Sequence, residues 1–293
     1  MTAIPLKPIP LKPIPPEAIP LEPVPPAPSA PPTTAPGSAR AAEAAHIPLS
    51  RIVSVELRKS FDTRSGFWLL ASIGIASLLA TAGVVIWAAR DQLTYSTFTL
   101  PNGFHMAVIL PIIAILSVTA EWSQRSGLTT FTLVPHRGRV VLAKAIVAIA
   151  IAVASMLLAF VIGALGNVVA AALAGRDAVW DQGVATLAAI VLANVLIVLL
   201  GFMLGVLIRN STAAIVAYFV YAFVAPPLLE LLAANQQWFH DLHAWVDPNV
   251  TQQLLFHGPL VGQQWVQLAV TTAAWLVAPL LLGLWTLQRS EVK

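Results

Sequence analysis

The 293 residues contain no cysteine. That excludes disulfides, thiolate metal sites and cysteine nucleophiles. Charge is scarce as well. Asp, Glu, Lys and Arg make up 10% of the chain, where soluble domains carry about 25%. Hydrophobic residues account for 58%. A soluble fold could not cover its core with so few charges. Secreted disulfide scaffolds and nucleic-acid modules are excluded, and an integral membrane protein remains. No basic region followed by an apolar run stands at the N-terminus, so no cleaved signal peptide is expected.

What is present changes sharply along the chain. Fifteen of the 23 prolines lie before residue 49. A short repeat runs through Ile4-Pro5-Leu6-Lys7-Pro8, Ile9-Pro10-Leu11-Lys12-Pro13 and Ile19-Pro20-Leu21-Glu22-Pro23. Proline fixes φ and removes amide donors, so neither helix nor sheet propagates there. Residues 1–47 read as a disordered tail with polyproline II character. Such a tail serves as a tether or spacer, or as a ligand for a proline-binding groove.

Residues 48–65 have an amphipathic pattern. Leu49, Val53, Leu57 and Phe61 recur every four residues, with Ile52 beside them. Arg51, Arg58, Lys59 and Asp62 take other faces, and Pro48 suits a first turn. The expectation is a helix lying in the membrane interface with its basic side toward head groups.

Long charge-free stretches follow, at 65–89, 92–120, 145–175, 182–208, 210–229 and 248–288. A spanning helix needs about 20 apolar residues. The pattern predicts six spans in 66–293, near 67–88, 103–121, 142–166, 183–207, 211–232 and 265–287. The fold class is therefore all-α integral membrane. Of the 16 Lys and Arg residues, 14 fall on the side of the termini and only Arg90 and Arg176 on the other. By the positive-inside rule both termini are cytoplasmic. Trp68, Trp87, Trp122, Trp180, Trp265 and Trp285 sit near span ends, as an interfacial aromatic belt requires.

The loop between spans two and three holds the densest polar pattern. Glu121 ends the span, Arg125 follows, and 126–134 suits a short surface helix closed by Pro135. Arg137, Arg139 and Lys144 then lead into span three. An ordinary positive-inside loop accounts for the arginines. It does not account for the Glu-x5-Gly-x-Thr order followed by Leu-x-Pro-x-Arg. This stretch resembles the first cytoplasmic loop of ABC-2-type permeases, the membrane subunits of ATP-driven ABC exporters. Glu121, Gly127, Thr129, Leu133, Pro135, Arg139 and Lys144 occupy positions that match the family pattern. Val55-Glu56-Leu57-Arg58-Lys59 is similar to the family's elbow helix, so the resemblance covers roughly residues 50–293.

The resemblance implies a permease subunit in a bacterial plasma membrane. The loop helix would dock on cytoplasmic ABC ATPase subunits, and a second permease subunit, identical or not, would complete the path. This chain has no Gly-x4-Gly-Lys-Ser/Thr phosphate loop. ATP and Mg would therefore belong to the partner ATPase, and no cofactor or metal is expected on this chain. The chain itself is then a transporter subunit, not an enzyme. Short re-entrant helices between spans five and six are also implied.

Two further groups stand out. His240, His243, Asp247 and His257 lie between spans five and six. They suit a polar cap of short interfacial helices better than a zinc site, because no compact His-x3-His pattern is present. His105, Asn167, Asn194 and Glu230 are polar groups in or beside the spans. Asn194 is the best candidate for lining a path, with interhelical hydrogen bonding as the alternative. Two rival functions remain open on the sequence. One is a non-transporting anchor that recruits a partner through the proline-rich tail. The other is a membrane-embedded enzyme built on the His240–His257 group. The substrate is not legible.

Overall fold

The computed structural model describes residues 48–62, 64–89, 92–123 and 137–289. The proline-rich tail expected at 1–47 and the loop helix expected at 126–134 lie outside the described residues. The described residues are helical with short connections and contain no strand. Helix α1 is Leu49–Asp62, α2 Arg64–Trp87, α3 Tyr95–Ser123, α4 Arg137–Leu173 and α5 Val184–Ile208. Next come α6 (Ser211–Phe219), a π segment (Val220–Val224) and α7 (Ala225–Asn235). Two short helices, α8 (Gln237–Val246) and α9 (Pro248–Leu255), precede α10 (Gln263–Thr272), a second π segment (Ala273–Val277) and α11 (Ala278–Arg289).

Six helical stretches are long and apolar enough to cross a membrane. They are Gly66–Trp87, Tyr95–Ala120, Gly138–Leu173, Val184–Ile208, Ser211–Asn235 and Gln263–Leu287. We call them spans 1 to 6. In hydrocarbon every backbone amide must be paired internally, and an unbroken helix does this. The chain is a multi-pass membrane protein.

Spans 2, 3 and 4 form the core. Met106, Leu110, Ala114 and Val118 recur at one helical turn along span 2 and are buried against Ile151, Met156 and Phe160 of span 3 and Val198, Phe202 and Val206 of span 4. Spans 1, 5 and 6 are far less buried and present apolar side chains outward, as lipid contact requires. Spans 2 and 4 approach closely because span 4 has glycine where they meet. A Cβ on Gly201 would stand 2.8 Å from Pro111 Cβ, and one on Gly205 3.3 Å from Val118 Cβ. Small residues four apart permit this contact in membranes.

Span 2 starts at Tyr95, ahead of the expected 103, and runs through Pro101 and Pro111. The reason lies in the connection between spans 3 and 4. Tyr95 N donates to Val179 O at 3.0 Å, and Ser96 N donates to Asp181 Oδ1 at 2.8 Å. These bonds satisfy first-turn donors that would otherwise be orphaned. Span 3 ends in a glycine cap. Gly175 has φ +65, and Arg176 N reaches back to Ala171 O at 3.1 Å. Span 4 ends at Arg209, whose φ of 57 makes it the left-handed non-glycine residue among those described. Pro226 and Pro227 disturb span 5 only locally. A π turn precedes them and the helix continues to Asn235, consistent with local widening around missing amide donors.

Candidate functional site

The amphipathic helix α1 turns Ile52 and Glu56, one turn apart, into the bundle. Leu57 and Phe61 of the expected apolar stripe stay exposed on its outer flank. A carboxylate facing inward needs a partner. Glu56 Oε2 meets Lys144 Nζ at 2.7 Å, and Oε1 meets Lys59 Nζ at 2.6 Å. Glu56 and Lys144 are each 7% exposed. Lys144 Nζ also donates to Ser117 O of span 2 at 3.1 Å. One ammonium thus ties α1, span 2 and span 3 together. Burial works against the Glu56 charge, but the two ammonium groups outweigh it and hold the carboxyl below its ordinary 4.5. Beside the pair is a cleft lined by Ser60, Leu110, Ile113, Val147, Ile151 and Val198.

The expected loop residues are placed as follows. Glu121 lies in the last turn of α3 and Arg137 opens α4. Arg125, Gly127, Thr129, Leu133 and Pro135 lie outside the described residues, as do the side chains of Glu121 and Arg137. Arg139 is half-buried in the first turn of α4, and Lys144 is two turns into the same helix. Arg58 is exposed and Lys59 half-exposed on α1. Elbow-helix and loop residues were separate groups in the sequence. The structure brings Glu56 of one onto Lys144 of the other.

Asn194 is fully buried; its amide donates to Ile190 O at 3.0 Å, and Oδ1 has no hydrogen-bond partner. Asn102 and Asn167 behave alike. Asn102 Nδ2 reaches Phe98 O at 2.8 Å and Thr81 Oγ1 at 3.3 Å, while Asn167 Nδ2 reaches Val179 O at 3.0 Å. His105 bridges spans 1 and 2. Its Nδ1 lies 3.1 Å from Pro101 O and its Nε2 3.1 Å from Ser77 Oγ. A carbonyl can only accept, so Nδ1 bears a proton, and the Ser77 hydroxyl is the partner of Nε2.

At the opposite end of the bundle α8 and α9 form the short helices expected there. His243 Nε2 lies 3.2 Å from Asp247 Oδ2. Asp247 caps α9 by accepting from Asn249 N at 2.9 Å. His240 and Asp241 form an exposed pair at 3.5 Å. Among the described residues no three His, Asp or Glu side chains converge as a metal site would need. The connection between spans 3 and 4 is anchored by Asp181. Ser96 Oγ donates to its Oδ2 at 2.6 Å, and hydrogen bonds from Ser96 hold its carboxyl below the ordinary range against slight burial.

Sequence reasoning missed three features. Gly201-x3-Gly205 in an apolar run was a readable signal for close helix packing. Asp181 as a cap for a helix 85 positions earlier carried no local signal. Neither did the two π segments.

No protein-family model matches this chain, and no curated protein matches it.

Proposed function

We propose that this chain is the permease subunit of an ATP-driven ABC exporter of the ABC-2 type. It would sit in a bacterial plasma membrane with both termini cytoplasmic, and work with separate ABC ATPase subunits and a second permease subunit. One observation supports this reading above the others: the buried Glu56–Lys144 pair, which fixes the amphipathic helix to the base of span 3. A permease driven from a cytoplasmic loop needs rigid parts at that point. A displacement of residues 121–144 would reach α1 and span 2 through Lys144, because Lys144 bonds to both. Rigid-body motion of this kind follows from differential binding of ATP to a closed ATPase pair. The positive-inside count and the even number of spans agree with cytoplasmic termini.

The test is gentle purification of the full chain, with mass spectrometry of what accompanies it and an ATPase assay. A P-loop ATPase that co-purifies, and is lost when residues 125–136 are replaced by a Gly-Ser linker, is the expected result. A chain that purifies alone and hydrolyses no ATP, even with candidate ATPases co-expressed, would overturn the proposal.

A further inference from the structure

The two π segments of spans 5 and 6 meet through their aromatic residues. Tyr221 and Trp275 stand with ring centroids 6.2 Å apart at an angle of 49°. π-Bulges in transmembrane helices recur at functional sites because they turn side chains out of register. Three observations set this place apart.

The first is unused hydrogen-bonding capacity. Tyr221 Oη and Thr272 Oγ1 are buried and have no partner. The neighbouring Thr271 shows the ordinary solution, donating to Gln267 O at 2.8 Å. Thr272, at the entry to the π segment, does not follow it.

The second is a buried carboxylate. Asp247 is 2% exposed and lies at the corner between α8 and α9. That corner is fastened to span 6, since Trp275 Nε1 donates to Val246 O at 2.8 Å. Asp247 follows Val246 directly, so the same bond holds the carboxylate-bearing corner beside the Trp275 ring. The Asp247 oxygens face Asn249 N, Asn249 Nδ2 and His243 Nε2, none of which needs to be cationic to donate.

The third is the sign of the surroundings. Residues 210–288 contain Glu230, Asp241 and Asp247 and no Lys or Arg at all. Trp275 remains 41% exposed, so its ring is open to a ligand.

We propose that this junction binds an apolar organic cation, such as a hydrophobic amine or a quaternary ammonium or phosphonium compound. The indole and phenol faces hold the cation by its attraction to their ring quadrupoles. Asp247 supplies the counter-charge, and the apolar walls of spans 5 and 6 take its body. An anion of the same shape meets the negative potential around the buried Asp247 and is refused. The site stands on this chain alone and does not depend on the transporter reading.

The experiment uses the full chain in phosphatidylcholine nanodiscs, with empty discs as the reference. Tetraphenylphosphonium is the probe, and tetraphenylborate is the anion of matching shape. Saturable phosphonium binding near one per chain is expected, with no borate binding beyond that of empty discs. Asp247→Asn keeps a capping side chain and removes the charge; it should weaken phosphonium binding at least about tenfold. Tyr221→Leu removes a hydroxyl that has no partner and a ring face, and should weaken it similarly. Equal uptake of both ions, or wild-type phosphonium affinity in the folded variants, would overturn the proposal. Should Asp247→Asn not fold, Tyr221→Leu decides alone. No ATPase is present, so failure here leaves the transporter reading untouched, and failure of that reading leaves this one.

Discussion

Glu56 Oε2 and Lys144 Nζ meet at 2.7 Å across 88 positions of sequence, and both side chains are buried. A buried ion pair adds little net stability over apolar residues of the same size, but losing one member strands the other. Glu56→Leu or Lys144→Met alone should each lower stability by up to about 3–5 kcal/mol, the smaller loss falling to Lys144→Met because Lys59 stays beside Glu56. The double variant should lose clearly less than the two single losses combined. Thermal unfolding of the four proteins in one detergent measures this cycle. Additive losses would mean that the two side chains act independently.

The same pair predicts a pH dependence. The folded Glu56 carboxyl titrates below its ordinary 4.5. A group with a depressed folded value adds stability above its unfolded value and loses it as pH falls through the folded one. Stability should therefore be level above pH 4.5 in this respect and fall below it. Glu56→Gln should remove that part of the fall. Unfolding midpoints compared between the two proteins from pH 6 downward test the sign.

Six spans were legible because each is a long charge-free run, and that is a local property. The amphipathic helix was legible from its repeat, but which side faces the bundle was not. Leu57 and Phe61 of the apolar repeat stay exposed, whereas Glu56, like Ile52, is turned inward. Its burial is possible only because Lys144 arrives from another helix. No local pattern contains that fact. The start of span 2 failed for a related reason. Span 2 was expected from 103, but Asp181, far along the chain, satisfies donors of an earlier first turn. Pairings between distant residues decided each case that local pattern could not.

Gly201 faces the Pro111 ring and backbone at 2.8–2.9 Å from where its Cβ would be. Proline cannot swing aside, so spans 2 and 4 must separate to admit a methyl group. Gly201→Ala should cost about 1–3 kcal/mol by overpacking. Gly74→Ala is the control, since nothing lies within 4 Å of its added carbon. Equal stability of the two variants would show that the helices do not pack as described.

Asp181 starts span 2 from outside it, through Ser96 N and Ser96 Oγ. The contact is exposed, so its worth is that of a helix cap in water. Asp181→Ala should cost under about 1 kcal/mol. The local effect should be larger: faster amide exchange over the first turn of span 2, at residues 95–98, with the remainder of the span unchanged. Exchange measured by mass spectrometry separates the two. Uniform protection in the variant would assign the start of span 2 to packing alone.

The functional proposal makes a sharper demand on the base of span 3. Arg139 is half-buried in the first turn of α4, Lys144 follows on the same helix, and Glu121 lies in the last turn of α3, before the loop. If motion enters through that loop, Arg139→Ala or Glu121→Ala should leave insertion and folding intact while transport falls at least about tenfold, a loss of about 1.4 kcal/mol in coupling. ATP hydrolysis by the partner should then persist without transport. A stability defect would lower both together, because less assembly would be present. Lys144→Met belongs to that second class, since it breaks the buried pair and leaves Glu56 only the half-exposed Lys59. The ratio of transport to hydrolysis, measured per assembled complex, therefore separates a coupling residue from a structural one. Wild-type ratios in both alanine variants would remove residues 121–139 from the coupling role.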